Sequence, residues 1–386
     1  MAPRSCTSSA DCAPMVCDVA GSMTCVQCTA AEDEACGGAT PACGSDGTCR
    51  GCTAHAECDS GACLPDGSCG DDANVAYVDP AGTDNASCTR AMPCTLVGKA
   101  LATGRPYVKL TGTTDEAVTV DNDRDVAFLA DPMARLTRTN GAGAILTVRD
   151  DGTTLTIYDL AIGDAPNSPS GIGIVIPPAA GAPTVALVRA TVTNNPGGGI
   201  SASGGTLAVT RSTISLNEGG GITVMNGVFV IVGNVFFANG SQDATIGGIA
   251  ISTTLNANNR IEFNSFSRNA ATDGFASAMQ CMVGGSFVAR NNIMSDNGTL
   301  SNQEQVSGNC MHTHSIIRPG TTPQGPGNSA FDPLFQNAAM GDLHLKPGSP
   351  AIRRADPNSN LLGAAERDID GDVRTAPADM GADEVP

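Results

Sequence analysis

Val185-Ala-Leu-Val-Arg-Ala-Thr-Val192-Thr-Asn-Asn195 is followed 22 residues later by Leu207-Ala-Val-Thr-Arg-Ser-Thr-Ile214-Ser-Leu-Asn217. The same frame continues in Phe229-Val-Ile-Val-Gly-Asn-Val-Phe236-Phe-Ala-Asn239 and in Ile261-Glu-Phe-Asn-Ser-Phe266-Ser-Arg-Asn269. Before these stands Leu155-Thr-Ile-Tyr-Asp-Leu-Ala-Ile162, and after them Phe287-Val-Ala-Arg-Asn-Asn-Ile293-Met-Ser-Asp-Asn297. Taking Ile162, Val192, Ile214, Phe236, Phe266 and Ile293 as shared anchors gives spacings of 30, 22, 22, 30 and 27. A period of about 22 with insertions is the signature of a β-solenoid. Each copy holds short alternating strands broken by Gly and Asn. Alternation sends one side chain inward and the next outward, and an inward face is buried only when coils stack on one another.

Stacking explains how the chain folds with so few aromatics: ten Phe, three Tyr and no Trp among 386 residues. Small β-branched side chains suffice for a narrow interior. Gly197–Gly199 and Gly219–Gly221 precede Ile200 and Ile222 and read as one corner repeated. The recurring Asn195, Asn217, Asn239, Asn269 and Asn297 read as structural corner residues, because Asn tolerates the left-handed conformation and stacked amides can bond along the pile. The insertions at 164–171, 177–183 and 241–247 are expected to project from one side. The Asp150-Asp151 pair beside Gly152 reads as a corner.

Ahead of the coils the composition changes. Twelve of the sixteen cysteines lie in residues 1–73 and form three four-cysteine units: Cys6, Cys12, Cys17, Cys25; Cys28, Cys36, Cys43, Cys49; Cys52, Cys58, Cys63, Cys69. Two disulfides per unit are expected, with three pairings open in each. The intervening residues are too small and polar to build a core, so crosslinks must stabilise this module. Cys25-x2-Cys28 and Cys49-x2-Cys52 also have zinc-ribbon spacing, with His55 nearby. They fall at the junctions of units holding eight further cysteines, and we read disulfides over zinc. The segment carries a net charge of −9, which suits a solvated spacer or a small partner-binding module. Cys88–Cys94 is expected to staple the loop after a strand at Val75, and Cys281–Cys310 to join neighbouring coils. Sixteen cysteines point to an oxidising compartment. The first residues, Met1 to Cys6, show no charged segment leading into an apolar one, so a secreted or outer-surface location implies an export signal absent from this chain.

Charge and hydropathy exclude other classes. With 39 acids against 21 bases the net charge is −18, which repels nucleic acid and anionic membranes. No apolar run is long enough for a transmembrane segment.

Two stretches resemble a known family. Val75-Ala-Tyr-Val-Asp79-Pro80-Ala-Gly, with Pro93-Cys94-Thr-Leu and Ala100, resembles the opening of secreted right-handed parallel β-helix proteins, in which a short helix plugs the first coil. Phe331-Asp-Pro-Leu-Phe335, Gly341-Asp-Leu-His-Leu-Lys-Pro347-Gly-Ser-Pro-Ala-Ile352, Asp368-Ile-Asp370-Gly-Asp372-Val-Arg374 and Asp379-Met-Gly381-Ala-Asp-Glu384 resemble the ending of the bacterial choice-of-anchor Q proteins. Arg353-Arg354-Ala departs from that pattern, and the family's final anchor has no counterpart before Pro386. The resemblance implies an extracellular or surface-attached protein and no defined reaction. The organisation expected is a disulfide module (1–73), a leading strand and capping helix (74–104), parallel β-helix coils (105–330) and a C-terminal cap (331–386). The fold class is all-β, a right-handed parallel β-helix.

Candidate sites are sparse. Asp368, Asp370 and Asp372 could hold calcium through oxygen ligands; the competing reading is an internal cap made by Asp368, Arg374 and Glu384. Arg189 and Arg211 align in successive coils, with no carboxylate pair seen to align with them. His312-x-His314 on one strand would place two imidazoles on one face, a weak metal pair. His344 completes the four histidines. No catalytic or cofactor-binding residue is assigned. The function expected is a surface structural or adhesive protein that presents a flank or loops to a surface protein or glycan, or self-associates. The alternative is a polysaccharide lyase or glycoside hydrolase, which rests on fold analogy.

Overall fold

The structure is a computed structural model and describes residues 4–178, 181–320 and 322–385. The chain forms two compact units, one of Met1–Val78, Gly82–Cys94 and Lys99–Lys109, the other of Asp79–Ala81, Thr95–Gly98 and Leu110–Pro386.

In the first unit the three cysteine repeats fold alike. Each pairs its first cysteine with its third and its second with its fourth: Cys6–Cys17 and Cys12–Cys25, Cys28–Cys43 and Cys36–Cys49, Cys52–Cys63 and Cys58–Cys69. A two-residue antiparallel pair sets each repeat: Val16–Cys17 against Cys25–Val26 and Ala42–Cys43 against Cys49–Arg50, with a single bridge between Cys63 and Cys69 in the third. Cys88–Cys94 closes the loop after the strand Val75–Val78, and Tyr77 exchanges backbone hydrogen bonds with both segments. The Arg50 guanidinium grips Glu57 and holds its carboxyl down at about 2.

The second unit is a parallel β-helix. Every coil adds one strand to each of three parallel sheets. The first sheet has ten strands, its members from Asp125–Ala130 onward climbing through Thr154–Tyr158, Thr184–Val188, Thr206–Thr210 and Val228–Val232 to Met311–Thr313. The second has nine strands from Thr113–Asp115 to Ile316–Arg318, and the third eight from Val118–Val120 to Val306–Gly308. Register follows the repeats: Ile162, Val192, Ile214, Phe236 and Phe266 are partners in succession. Phe236 and Phe266 stack with centroids 4.5 Å apart, and both are fully buried.

The last anchor differs. Phe266 pairs with Met294, and Ile293 falls in the outward row with Val235, Ser265 and Ile316. A one-residue shift moves a side chain to the other face of a strand. Ile293 is still fully buried because a later segment covers that outer face. Val235, Ile293 and Ile316 pack against Phe335, Leu343, Leu345, Ala351, Met380 and Ala382. Val232 and Phe263 likewise meet Ala355, Ala365 and Ala378. The C-terminal segment thus packs along the flank of the coils, on the outer faces of the second sheet and the upper first sheet.

Two polar ladders run inside the pile. Asn195, Asn217, Asn239, Asn269 and Asn297 pass side-chain hydrogen bonds of 2.7–2.9 Å from coil to coil. Asn234, Asn264 and Asn292 form a second ladder at the other corner, with 3.0 Å bonds. The ladder residues do not themselves adopt the left-handed conformation. That falls one residue earlier, on Asn194, Leu216, Ala238, Arg268 and Asp296 in the first ladder and on Gly233, Phe263 and Asn291 in the second. The preceding residue makes the turn, and the Asn that follows points inward. Between the ladders' coils Gly199 passes so close to its neighbour that a Cβ would sit 2.6 Å from the Gly221 carbonyl oxygen. The insertions leave from two corners: 164–171 and 241–247 between second and third sheets, 177–183 between third and first, Ala179 and Ala180 lying outside the described residues.

Candidate functional site

Several corner positions of the coils carry charged side chains. At the corner between first and second sheets the left-handed residues are Asp159, Arg189, Arg211, Gly233, Phe263, Asn291 and His314. A residue in that conformation directs its side chain away from the core, so this column is an outward rail. Arg189 forks onto Asp159 one coil below with Nε–Oδ1 and Nη2–Oδ2 distances of 2.6 and 2.7 Å. That hydrogen bonding raises the Arg189 pKa further. Asp159 is the carboxylate the sequence reading missed. Its signal was there: Leu155-Thr-Ile-Tyr-Asp159 stands in the frame of Val185-Ala-Leu-Val-Arg189. Arg211, aligned one coil above, donates through Nε to the Asp368 carbonyl at 2.8 Å. Burial, with Arg189 alongside, lowers its pKa.

Higher on the same flank Glu262 receives Arg260 at 3.0 Å and Arg290 at 3.7 Å, and Arg290 also reaches Asp356 at 3.3 Å. His314 stands 3.9 Å from Asp356. Burial pushes Asp356 up, but the Asn358 amide, His314 and Arg290 together outweigh it and hold the carboxyl below the usual range. These acids and bases neutralise one another across the seam between the coils and the C-terminal segment.

His312 and His314 do not share a face. The strand ends at Thr313, and His314 takes the left-handed corner (φ 46°). His312 points inward beside Ala289 of the coil below, is 4% exposed, and leaves Nδ1 without a hydrogen-bond partner. Burial holds its imidazole down at about 4. Asp150 takes a left-handed corner and accepts the Asn122 amide at 3.0 Å, while Asp151 accepts that of Ala182.

Asp368, Asp370 and Asp372, which could hold calcium, are not among the groups of described residues whose ligand atoms gather within 4.8 Å. Asp368 spends one carboxylate oxygen on the amides of Asp370, Gly371 and Asp372 (2.7–3.1 Å) and the other on that of Glu384 (2.9 Å). Nearby, Arg374 has a fully buried side chain. It donates to the carbonyls of Gly381 and Ala382 at 2.9 Å, reaches Glu384 at 3.3 Å and lies 4.6 Å from the Phe263 ring centroid. Asp379 accepts the amides of Arg353 and Val385. The group that does gather is another one: His344, Asp370 and Asp383 bring ligand atoms within 4.8 Å of one another. The three further triplets of this kind are cysteines already held in disulfides.

The third sheet presents a different surface. Its outward row reads Thr119, Thr147, Val175, Ser201, Thr223, Ala250, Gln280 and Ser307, each in register with the next. All are half-exposed or exposed. At about 4.8 Å per strand the row extends about 34 Å. Two shallow hollows lie elsewhere. One of about 680 Å³ is bounded by Asp72, Ala73, Thr89, Arg90, Ala91 and Arg105 in the first unit. One of about 320 Å³ lies among Arg353, Asp372, Thr375, Asp379 and Glu384 in the second. Among the described residues no helix is long and apolar enough to cross a membrane.

Residues 146–317 match the family described as a right handed beta helix region. No curated protein matches the chain. Among solved structures, the crystal structure of pectate lyase Pel9A is similar at 14% identity with a TM-score of 0.48, over 81% of this chain and 96% of that one.

Proposed function

We propose that this protein is a secreted or surface-attached bacterial scaffold that adheres, through the flank of its third sheet, to an extracellular glycan or surface protein. The observation that carries this reading is the contrast between flanks. The outer faces of the second and upper first sheets are covered by the C-terminal segment, whereas the third sheet leaves a straight row of hydroxyl, amide and small apolar side chains open. A row repeating at strand spacing suits a polymer or a broad protein surface better than a small molecule, which needs a concave pocket. The eight disulfides fit an oxidising exterior. The resemblance of residues 331–386 to the choice-of-anchor Q ending supports the surface location and the bacterial source.

The test is co-sedimentation of the full chain with insoluble extracellular polysaccharides and with whole cells. Thr147→Lys with Thr223→Lys, both on the open row, is expected to abolish retention while leaving the circular dichroism spectrum intact. Retention unchanged by that pair would overturn the assignment of the flank.

The alternative is a carbohydrate-active enzyme working on the flank where Asp159 meets Arg189 and Glu262 meets Arg260 and Arg290. Release of unsaturated or reducing sugars, lost in Asp159→Asn and Glu262→Gln, would favour it over the scaffold.

A further inference from the structure

The structure assigns a metal site to the C-terminal segment: we propose that His344 Nε2 and the carboxylates of Asp370 and Asp383 bind one divalent ion of the zinc class. This inference is independent of the adhesive flank. Three stretches distant in sequence converge there: the strand Asp342–Leu345, the turn at 368–372 and the chain near residue 383. His344 Nε2 lies 2.9 Å from Asp370 Oδ2, close to the separation of two ligands on one small ion, and Asp383 stands within 4.8 Å of both.

Two observations beyond the cluster of acids point to a cation. First, the other ring nitrogen, Nδ1, faces Asp342 Oδ1 at 2.6 Å. A carboxylate behind a histidine fixes the tautomer that leaves Nε2 as a ligand and raises its basicity, the arrangement that commonly orients metal-bound imidazole. Second, Asp383 is only 7% exposed, and one of its oxygens accepts the Leu345 amide at 2.7 Å. The same side chain offers an oxygen within 4.8 Å of the ligand atoms of His344 and Asp370. A buried carboxylate beside two others, with one imidazole between them, leaves negative charge uncompensated, which costs free energy unless a cation is present. Asp370 and His344 are half-exposed, so the mouth is open to ions and to a water as fourth ligand.

The donor set selects the metal. One imidazole and two carboxylates suit zinc and its first-row neighbours, at ligand distances of about 2.0–2.2 Å. Calcium prefers six or more oxygens and magnesium a hydrated octahedron. A bound ion would tie strand, turn and chain end together where they lie against the coils.

The experiment uses the untagged full chain with its disulfides intact, freed of metal by a chelator. It is titrated with Zn²⁺ by calorimetry and with Co²⁺ by visible absorption, Ca²⁺ serving as control. Expected are one Zn²⁺ per chain, a Co²⁺ ligand-field band typical of low coordination, and no displacement by equimolar Ca²⁺. His344→Gln and Asp370→Asn should abolish both signals, and Asp342→Asn should weaken binding by about 10–100-fold. Asp342 is not a ligand, so its variant answers the question even if a ligand variant unfolds the segment. Absence of saturable binding, or affinity unchanged in His344→Gln, would overturn the site and show that His344 is simply a charged clasp between Asp342 and Asp370. Neither result bears on retention by glycans or cells.

Discussion

Replacing Asn239 by Ala tests whether the inner amide ladder holds the coils together. Its carboxamide accepts from the Asn217 amide at 3.4 Å and from Asn217 Nδ2 at 2.9 Å, and donates to the Ile214 carbonyl at 2.8 Å and to Asn269 Oδ1 at 2.9 Å. Truncation removes all four bonds at a fully buried position. Asn217 Nδ2 keeps a bond to the Val192 carbonyl, and Asn269 Oδ1 keeps the Asn239 amide, so those two groups are only half deprived. The Asn217 N–H loses its side-chain acceptor. With unsatisfied buried groups at about 1–3 kcal/mol each, one full and two or three partial losses sum to roughly 3–6 kcal/mol. That rivals the roughly 3–5 kcal/mol expected for deleting a buried Phe such as Phe236 from the same coil, although the side chain removed is polar. A whole domain holds only about 5–15 kcal/mol. Urea unfolding followed by far-ultraviolet circular dichroism gives the midpoint. Hydrogen exchange of the strands 206–210, 228–232 and 260–262 shows whether opening centres on the altered coil, as nearest-neighbour coupling requires. Asn258→Ala, at an exposed position, is the control. A loss below about 1 kcal/mol, or one equal to the control, would refute the claim that the ladder carries stability.

Three further outcomes follow from the same structure. Because His312 is held at about 4 by burial, the unfolded chain takes up its proton first as pH falls. The last coil should therefore be fully stable above about 6.5 and lose roughly 3 kcal/mol as pH drops to about 4; hydrogen exchange at 311–318 reads this, and His312→Leu should abolish the dependence. Cys281→Ala with Cys310→Ala removes a crosslink spanning 29 residues and should lower stability by about 3–4 kcal/mol, measured as a shift in urea midpoint. Arg374→Ala strands the buried Glu384 carboxylate and empties a fully buried site; at about 3–5 kcal/mol for breaking a buried pair, the C-terminal segment should become open to limited proteolysis while the coils resist.

The coil frame was legible because a solenoid repeats its physics: each copy needs the same inward anchors, and the partners Val192, Ile214, Phe236 and Phe266 show the frame directly. Legibility failed where one residue answers to two surfaces. Ile293 looked like a core anchor because it is apolar, yet it is buried from outside, by Met380 and Ala382 of a segment nearly ninety residues later. Periodicity alone reports that a residue is buried and not by what. The ladder asparagines were recognised and their conformation misplaced, because the sequence shows Leu216 and Ala238 in front of Asn217 and Asn239, residue types that local propensity would not send left-handed. Stacking and a saturated amide ladder override that propensity.

The same logic accounts for what sequence could not show of the charged groups. Asp368-x-Asp370-x-Asp372 suggests an ion because its acids are adjacent in sequence, but adjacency lets the first carboxylate cap its own turn. His344 and Asp342 lie 26 or more residues before Asp370 and Asp383, and nothing in the spacing of the C-terminal ending shows that the four meet. In a solenoid, contacts at fixed period write themselves into the sequence; contacts made by a segment that returns along the flank do not. The rail that begins with Asp159 and Arg189 is periodic and could be read from the aligned repeats. The cluster around His344 required the fold. Sites of the second kind are therefore to be sought where a non-repeating tail crosses the repeats, and the outer faces that the tail leaves bare, here the row from Thr119 to Ser307, are where a partner can take its place.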